Sequence, residues 1–319
     1  MTAIHVWVLG RGGMLGSHVA AALSLRPGRR VWQEAPSIPW AAPADAADRL
    51  TRGAAGFLAD AGDDPWELMW CAGAGVTATS SEQLDREVHL LAALLDRLGG
   101  PQAARGQVFL SSSAGGVYAG SGAAPFDEST PPRPLAPYGR SKLAMEAAVR
   151  DWARVHGGRA VVGRLSNIYG PGQDLGKPQG LITQLVRAHL LRDPLRVYVP
   201  LDTLRDYLYV SDAAELVVDC LDRLAAEPAG QHVVKVLATQ QAVTVGAVLG
   251  ELTRVLRRRP QIVLGASPVA RFQAIDLRLR SRVWTELDRR PLTPLPAGIH
   301  AVMEDVGRQV RSGLLTAAA

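Results

Sequence analysis

The chain has 319 residues, 47 % hydrophobic and 20 % charged, with a formal net charge of +5. That is enough apolar material for one large or two medium domains with a substantial core, and no apolar run reaches the roughly 18 residues of a membrane span. The basic residues are dispersed, which argues against nucleic acid as a partner, and the two cysteines, Cys71 and Cys220, are too far apart for a metal motif.

Residues 5–9 (His-Val-Trp-Val-Leu) form a short apolar run, predicted as the first strand. It starts close to the N-terminus, with no basic region leading into an apolar one. The chain therefore reads as cytoplasmic and without a secretory leader, which suits unpaired cysteines. Glycines follow at Gly10, Gly12, Gly13 and Gly16, and a helix-like Val-Ala-Ala-Ala-Leu begins at Val19. Strand, glycines and helix are the context a dinucleotide phosphate loop requires. Gly10 permits the tight turn, Gly13 lets the backbone approach a pyrophosphate, and Gly16 allows close helix packing. Met14 and Leu15 belong to the same turn, where the helix N-terminus offers free N–H groups and a positive dipole end.

An acidic residue about 20 positions further on is expected to bind the adenosine ribose. Glu34, at the end of a predicted strand over 31–34, takes that place. Its carboxylate accepts from both ribose hydroxyls and repels a 2′-phosphate, so NAD is the expected cofactor. Arg11, inside the glycine loop, either favours NADP instead or is an exposed loop arginine in an arginine-rich chain.

Further strands are predicted over 56–59, 67–72, 107–111 and 160–164, with helices over 81–98 and 138–155. Alternating strands and helices imply a parallel sheet covered on both faces, with ligands bound beyond the carboxyl ends of the strands. The run Ala72-Gly73-Ala74-Gly75 follows the fourth predicted strand and Ser111-Ser112-Ser113 the fifth. Residues 120–137, rich in proline, glycine and alanine, read as an ordered loop. After Leu165 the rhythm becomes irregular and proline-rich. A strand is predicted over 205–210 and helices over 212–224, 243–257 and 296–310. The basic run Arg257-Arg258-Arg259 ends the third of these four segments, where cations complement the helix dipole. The division expected is a dinucleotide-binding domain over 1–165 and a mainly substrate-binding lobe over 166–319, with the chain returning to the first near 205–238.

The chain holds three lysines among 35 basic residues. Wherever a positive charge is merely needed, arginine supplies it. One lysine, Lys142, lies four residues after Tyr138, a pairing that chance produces in roughly one such chain in eighteen. Residues i and i+4 share a helix face, so both side chains can enter one cleft. A phenol is a poor base near neutral pH, and a neighbouring ammonium favours its ionised form. It can then exchange a proton with a substrate hydroxyl while a hydride moves elsewhere. An exposed tyrosine and lysine on an amphipathic helix would show the same spacing, so the neighbouring motifs decide.

Those motifs are Gly10-x-x-Gly13-x-x-Gly16, Cys71-Ala72-Gly73, Ser111-Ser112-Ser113 with Val117-Tyr118, Tyr138-x-x-x-Lys142, 164–172 (Arg-Leu-Ser-Asn-Ile-Tyr-Gly-Pro-Gly) and 205–212 (Arg-Asp-Tyr-Leu-Tyr-Val-Ser-Asp). Together, and in this order over nearly the whole length, they resemble the extended short-chain dehydrogenase/reductases of the sugar-nucleotide epimerase/dehydratase group. The resemblance implies an α/β fold, a Rossmann-type doubly wound parallel sheet with a smaller C-terminal substrate-binding lobe, in a homodimeric enzyme. It implies Tyr138 as general acid/base, Lys142 on the nicotinamide ribose, and Ser113 on the reacting oxygen. Asp60 would face the adenine, and Ala72 and Gly73 would line the cofactor. Asn167 would contact the sugar or its phosphates, and Arg205 the diphosphate, with Arg271 assisting. Three features depart from the pattern. The serine stretch is one residue longer than usual before Val117-Tyr118, so counting back from Tyr118 lands on Ala114; alanine cannot donate a hydrogen bond, which favours Ser113, with Ser112 as the alternative. Glu87 or Val88 stands where an asparagine is frequent. Residues 199–204 replace a glycine-rich stretch.

The expected activity is an NAD-dependent epimerase of a nucleotide-diphosphate sugar, working at C4 through a 4-keto intermediate. The alternative is a nucleotide-diphosphate 4-ketosugar reductase using NAD(P)H. A 4,6-dehydratase needs an acidic pair just after the serines, where this chain has Ala114-Gly115. A non-catalytic NAD(P)-binding sensor would be expected to lose Tyr138 or Lys142, and both are kept.

Overall fold

The computed structural model describes residues 3–73, 75, 79–177, 179–265 and 274–313. The first half alternates β1 (Ile4–Leu9), α1 (Met14–Ser24), β2 (Arg29–Val31), α2 (Pro43–Ala61), β3 (Trp66–Trp70) and α3 (Ser81–Arg97). A 3₁₀ segment, Pro101–Arg105, leads into β4 (Gly106–Ser113), followed by α4 (Ala114–Tyr118), α5 (Pro137–His156) and β5 (Arg159–Leu165). Then come β6 (Asn167–Tyr169), α6 (Leu181–Leu191), β7 (Leu195–Val197), β8 (Leu204–Arg205), β9 (Tyr207–Tyr209) and α7 (Val210–Leu224). The last elements are β10 (His232–Leu237), β11 (Val243–Thr244), α8 (Val245–Leu256), β12 (Ile262–Leu264) and α9 (Leu295–Arg311).

Six strands form one parallel sheet in the order β10-β5-β4-β3-β1-β2. Its central strands are apolar on both faces, as a sheet covered twice demands. Alternate residues serve alternate faces. Trp7, Leu9, Leu68, Trp70, Val108 and Leu110 pack with α2, α3 and α5. Val6, Val8, Met69 and Phe109 pack with α1 and α7 on the other side. A separate core, centred on Leu185, Val248, Leu252, Ile299 and Val302, joins α6, α8 and α9 into the C-terminal lobe. The chain comes back to the sheet in between: Leu208 lies in the second core and β10 is the edge strand beside β5.

One predicted strand is absent. Residues 56–59 lie inside α2, whose buried positions Ala46, Leu50, Ala54, Phe57 and Ala61 recur every three or four residues after Pro43 in the first turn. That period specifies a helix, and the four-residue apolar window was too short to show it. The usual dinucleotide-binding order 3-2-1-4-5-6 carries one more strand outside the second. Here β2 is the edge. It ends at Val31 rather than Glu34, although the Trp32 amide still donates to the Val6 carbonyl at 2.8 Å. The edge is three residues long and carries two arginines, which blunts pairing with other chains. Arg29 reaches Glu67 on β3 through two 2.8 Å bonds and Asp222 on α7 at 2.7 Å, pinning this short strand in register.

Candidate active site

The glycine turn leaves β1 at its carboxyl end. Gly10 has φ +84°, and a Cβ there would lie 2.6 Å from the Ala72 nitrogen. A Cβ on Gly16 would lie 2.2 Å from the Gly10 carbonyl oxygen. The protein's own backbone therefore demands both glycines. Gly13 differs: a Cβ there meets only the Gly10 oxygen, at 3.4 Å. What its missing side chain leaves clear is the N-terminus of α1, where Gly13 is the cap residue without a side-chain cap bond and no acidic residue lies in the first turn. Uncapped N–H groups, a positive dipole end and a bare approach fit a pyrophosphate. Met14 opens the helix and Leu15 turns into the core beneath it.

The loop after β3 runs against this turn through Ala72 and continues to Gly73 and Gly75. Pro137 opens α5, so Tyr138 and Lys142 stand on its first two turns, with Lys142 Nζ 5.7 Å from the tyrosine ring centroid. A Cβ on Gly75 would touch the Tyr138 ring at 3.4 Å, and one on Gly73 would lie 3.5 Å from Lys142 Nζ. Across the cleft, Ser113 ends β4 and caps α4, its Oγ accepting from the Gly116 amide at 3.1 Å. A Cβ on Gly116 would stand 3.0 Å from Tyr138 Cε1 and 3.3 Å from Ser113 Oγ. Serine, phenol and ammonium thus converge on glycines, beyond the carboxyl ends of β3 and β4 and next to the glycine turn. A small ligand there meets polar atoms instead of Cβ groups.

The two serines differ in burial. Ser112 is 4 % exposed and donates to Glu146 Oε1 at 2.5 Å, whereas Ser113 is half-buried at the cleft. Glu146 also receives Arg164 Nη2 at 2.6 Å and Nε at 3.1 Å, and Arg164 Nη1 donates to the Tyr118 hydroxyl at 2.7 Å. Burial pushes the Tyr118 phenol above its ordinary value, so it stays protonated and donates to the Asp127 carbonyl at 2.7 Å. This closed network holds the end of β4 from below. It was legible in part: the i, i+4 stripe through Tyr138 and Lys142 lands next on Glu146.

The family scan matches the model described as "NAD dependent epimerase/dehydratase family" over residues 6–235. The chain belongs to this family. Among relatives, the UDP-glucose 4-epimerase of Azospirillum brasilense is 32 % identical over 244 residues, 66 % of each chain. The dTDP-4-dehydro-6-deoxyglucose reductase of Escherichia coli is 26 % identical over 200 residues, 63 % of this chain and 61 % of that one. The chain spans between about a quarter and two thirds of the length of the curated relatives it matches. Among solved structures, the UDP-glucose 4-epimerase of Thermotoga maritima with UDP-glucose superposes with a TM-score of 0.76 at 19 % identity, covering 97 % of this chain and 99 % of that one. The UDP-glucuronic acid 4-epimerase of Bacillus cereus, solved with UDP-glucuronic acid and NAD, gives 0.76 at 18 % identity, with coverages of 96 % and 99 %. These superpositions bear out the expected Rossmann-type architecture.

Within this epimerase/dehydratase chain the other expected residues fall unevenly. Glu34 is exposed just past β2, and Arg11 donates to the neighbouring Gln33 at 3.3 Å. Asn167 is exposed two residues beyond Leu165, the register partner of Ser113, and its side chain donates to the Asp206 carbonyl at 3.1 Å. Arg205 follows in space, 8 % exposed, with Nη1 donating to the Leu204 carbonyl at 2.8 Å. Burial pulls its guanidinium below the ordinary value. The charge of Asp276 acts on it, while Asp206 accepts from Thr239 and Gln241, and Asp212 from Thr293. Asp60 is corrected. It sits in the last turn of α2, bonded by His5 at 2.8 Å and Arg30 at 2.5 Å at the amino ends of β1 and β2. Arg30, with His5 beside it, holds its carboxyl below the usual range. The strand expected to deliver it to the adenine does not exist here, and the glycine turn lies at the other end of β1. Arg271 lies outside the described residues. Among the described residues no group of three metal-ligating side chains occurs, and no helix is long and apolar enough to cross a membrane.

Proposed function

We propose that this protein is an NAD-dependent epimerase of a nucleotide-diphosphate sugar, acting at C4 through a 4-keto sugar. The observation that carries the reading is the convergence of Ser113, Tyr138 and Lys142 beside an uncapped glycine turn. The turn at Gly10, Gly13 and Gly16, with Met14 and Leu15, would hold the pyrophosphate, and Glu34 the adenosine ribose. Ala72 and Gly73 would line the cofactor beyond β3. Bound NAD supplies a hydride acceptor that can return what it takes. Tyr138 takes the proton of the C4 hydroxyl and later gives it back. Lys142 would steady the phenolate that accepts this proton and would hold the nicotinamide ribose. Ser113 donates to the C4 oxygen throughout.

Residues 1–165 and the returning stretch near 205–238 would serve the cofactor, and the rest of 166–319 the sugar nucleotide. We place the enzyme in the cytoplasm, in keeping with free Cys71 and Cys220, and take it to be a homodimer as the family resemblance implies. A second reading, a 4-ketosugar reductase that uses the same residues once, is favoured by the likeness to the Escherichia coli reductase. A dehydratase is disfavoured because Ala114 is fully buried and Gly115 has no side chain, so no carboxylate follows Ser113. Nuclear magnetic resonance of UDP- and dTDP-hexoses incubated with enzyme and NAD tests the choice. C4 epimers are expected; turnover of 4-ketosugars alone, with NAD(P)H consumed, would establish the reductase.

Arg205, assisted by Asn167 and Arg271, would anchor the diphosphate. Charge-assisted hydrogen bonds from a guanidinium are roughly twice as strong as neutral ones. Arg205→Ala is therefore expected to weaken UDP or dTDP binding by about 1.5–3 kcal/mol, ten- to more than a hundredfold, with NAD affinity little changed. Calorimetry and a melting curve on the same sample check this. A lower melting temperature with unchanged nucleotide affinity would reduce Arg205 to a strut holding the Leu204 carbonyl.

A further inference from the structure

Lys142 has a charged neighbour that the catalytic reading does not use. Glu87 projects from α3 with its Oε1 3.6 Å from Lys142 Nζ, and the two side chains are 13 % and 7 % exposed. That separation is too long for a good hydrogen bond. Glu87 Oε1 is buried and has no hydrogen-bond partner among the described residues, and the Lys142 ammonium has a long contact to the Met145 sulfur at 3.9 Å. Both charged atoms front the same backbone: a Cβ on Gly73 would lie 3.1 Å from Glu87 Oε1 and 3.5 Å from Lys142 Nζ. A carboxylate oxygen buried without a hydrogen bond is expensive to keep, so its place at the cleft calls for a reason.

The reason lies in the sum of charges. With Lys142 alone, the floor of the cleft would be positive. The oxidised nicotinamide ring is a cation and the reduced ring is neutral. A lone ammonium would repel the oxidised form and leave the reduced form unaffected. A carboxylate beside it cancels that bias, and in a buried site the interaction is weakly screened.

We propose that Glu87 sets the redox balance of the cofactor site, removing the bias against the oxidised nicotinamide dinucleotide that Lys142 alone would impose. The proposal rests on the reading of Lys142 as the nicotinamide-ribose residue. It deepens that reading, because an enzyme that ends each turnover with its hydride returned must keep the oxidised cofactor between turnovers.

The test titrates the purified full chain with NAD and with NADH, for the wild type, Glu87→Gln and Glu87→Asp. Glu87→Gln keeps the shape and removes the charge. It is expected to weaken NAD relative to NADH by about tenfold, the scale of one screened unit charge several ångströms away. Glu87→Asp keeps the charge and is expected to preserve most of the wild-type ratio. Equal weakening of both dinucleotides, or an unchanged ratio, would overturn the proposal, since a purely structural carboxylate lowers the melting temperature without telling the two redox states apart. If the wild type binds both forms and Lys142→Met disturbs neither, the underlying reading of Lys142 fails and the proposal with it. A ratio indifferent to Glu87 beside a Lys142→Met variant that binds poorly overturns the proposal alone.

Discussion

Replacing Tyr138 by phenylalanine is expected to lower kcat by about 10²–10⁴-fold while leaving NAD affinity within a few fold. The substitution removes one hydroxyl from a ring that stays packed against Gly75 and Gly116. The proton carrier is lost and the wall of the cleft is not. Lys142→Met should behave differently and harm both turnover and cofactor binding, because the ammonium serves both. Lys142→Arg should not restore activity. Lys142 is 6 % exposed in a space bounded by Gly73, Glu87 and Met145, and a planar guanidinium cannot take the position of a compact ammonium. Steady-state kinetics with calorimetric NAD binding separates the cases. Near wild-type turnover of the Tyr138 variant would remove the tyrosine from the chemistry.

The second large effect concerns stability. Arg164→Met should cost about 3–5 kcal/mol of folding free energy, because among the described residues it leaves the Glu146 carboxylate buried with Ser112 alone as a side-chain partner. Both members of the pair are less than a tenth exposed, so solvent screening offers little relief. The double variant Arg164→Met with Glu146→Leu should recover part of the loss, since it removes the uncompensated charge as well as the pair. Urea denaturation reads both. A loss below about 1 kcal/mol for the single variant would mean that water reaches this network. Activity should fall with stability here, since Ser112 and Ser113 are adjacent on β4 and the network holds one in place while the other faces the cleft.

Much of this site was legible because its chemistry is local. The glycine turn is a strand, three spaced glycines and a helix, and backbone sterics alone make two of those glycines mandatory. Tyr138 and Lys142 share a face because four residues is about one helical turn. The ambiguity between Ser112 and Ser113 could not be resolved by counting. It depends on which hydroxyl meets Glu146, a contact 34 residues away in sequence. The misreading of 56–59 had a physical cause: a short apolar window fits strand and helix alike, and only the longer period from Ala46 to Ala61 distinguishes them. The Asp60 assignment fell with that strand. Glu87 or Val88 stands where an asparagine is frequent, and the sequence does not say which; the pairing concerns Glu87. Its meaning comes only from the packing of α3 on α5, which sets its carboxylate beside Lys142.

The central claim is that hydride leaves C4 of a nucleotide-bound hexose. Its most direct test is rapid mixing of the NAD-loaded enzyme with UDP- and dTDP-hexoses, unlabelled or deuterated at C3 or at C4, while reduced nicotinamide absorbance is followed. The account predicts transient reduction that slows when C4 carries deuterium and is unaffected by deuterium at C3. Absence of reduced nicotinamide with every sugar nucleotide, or an isotope effect at C3 with none at C4, would contradict it.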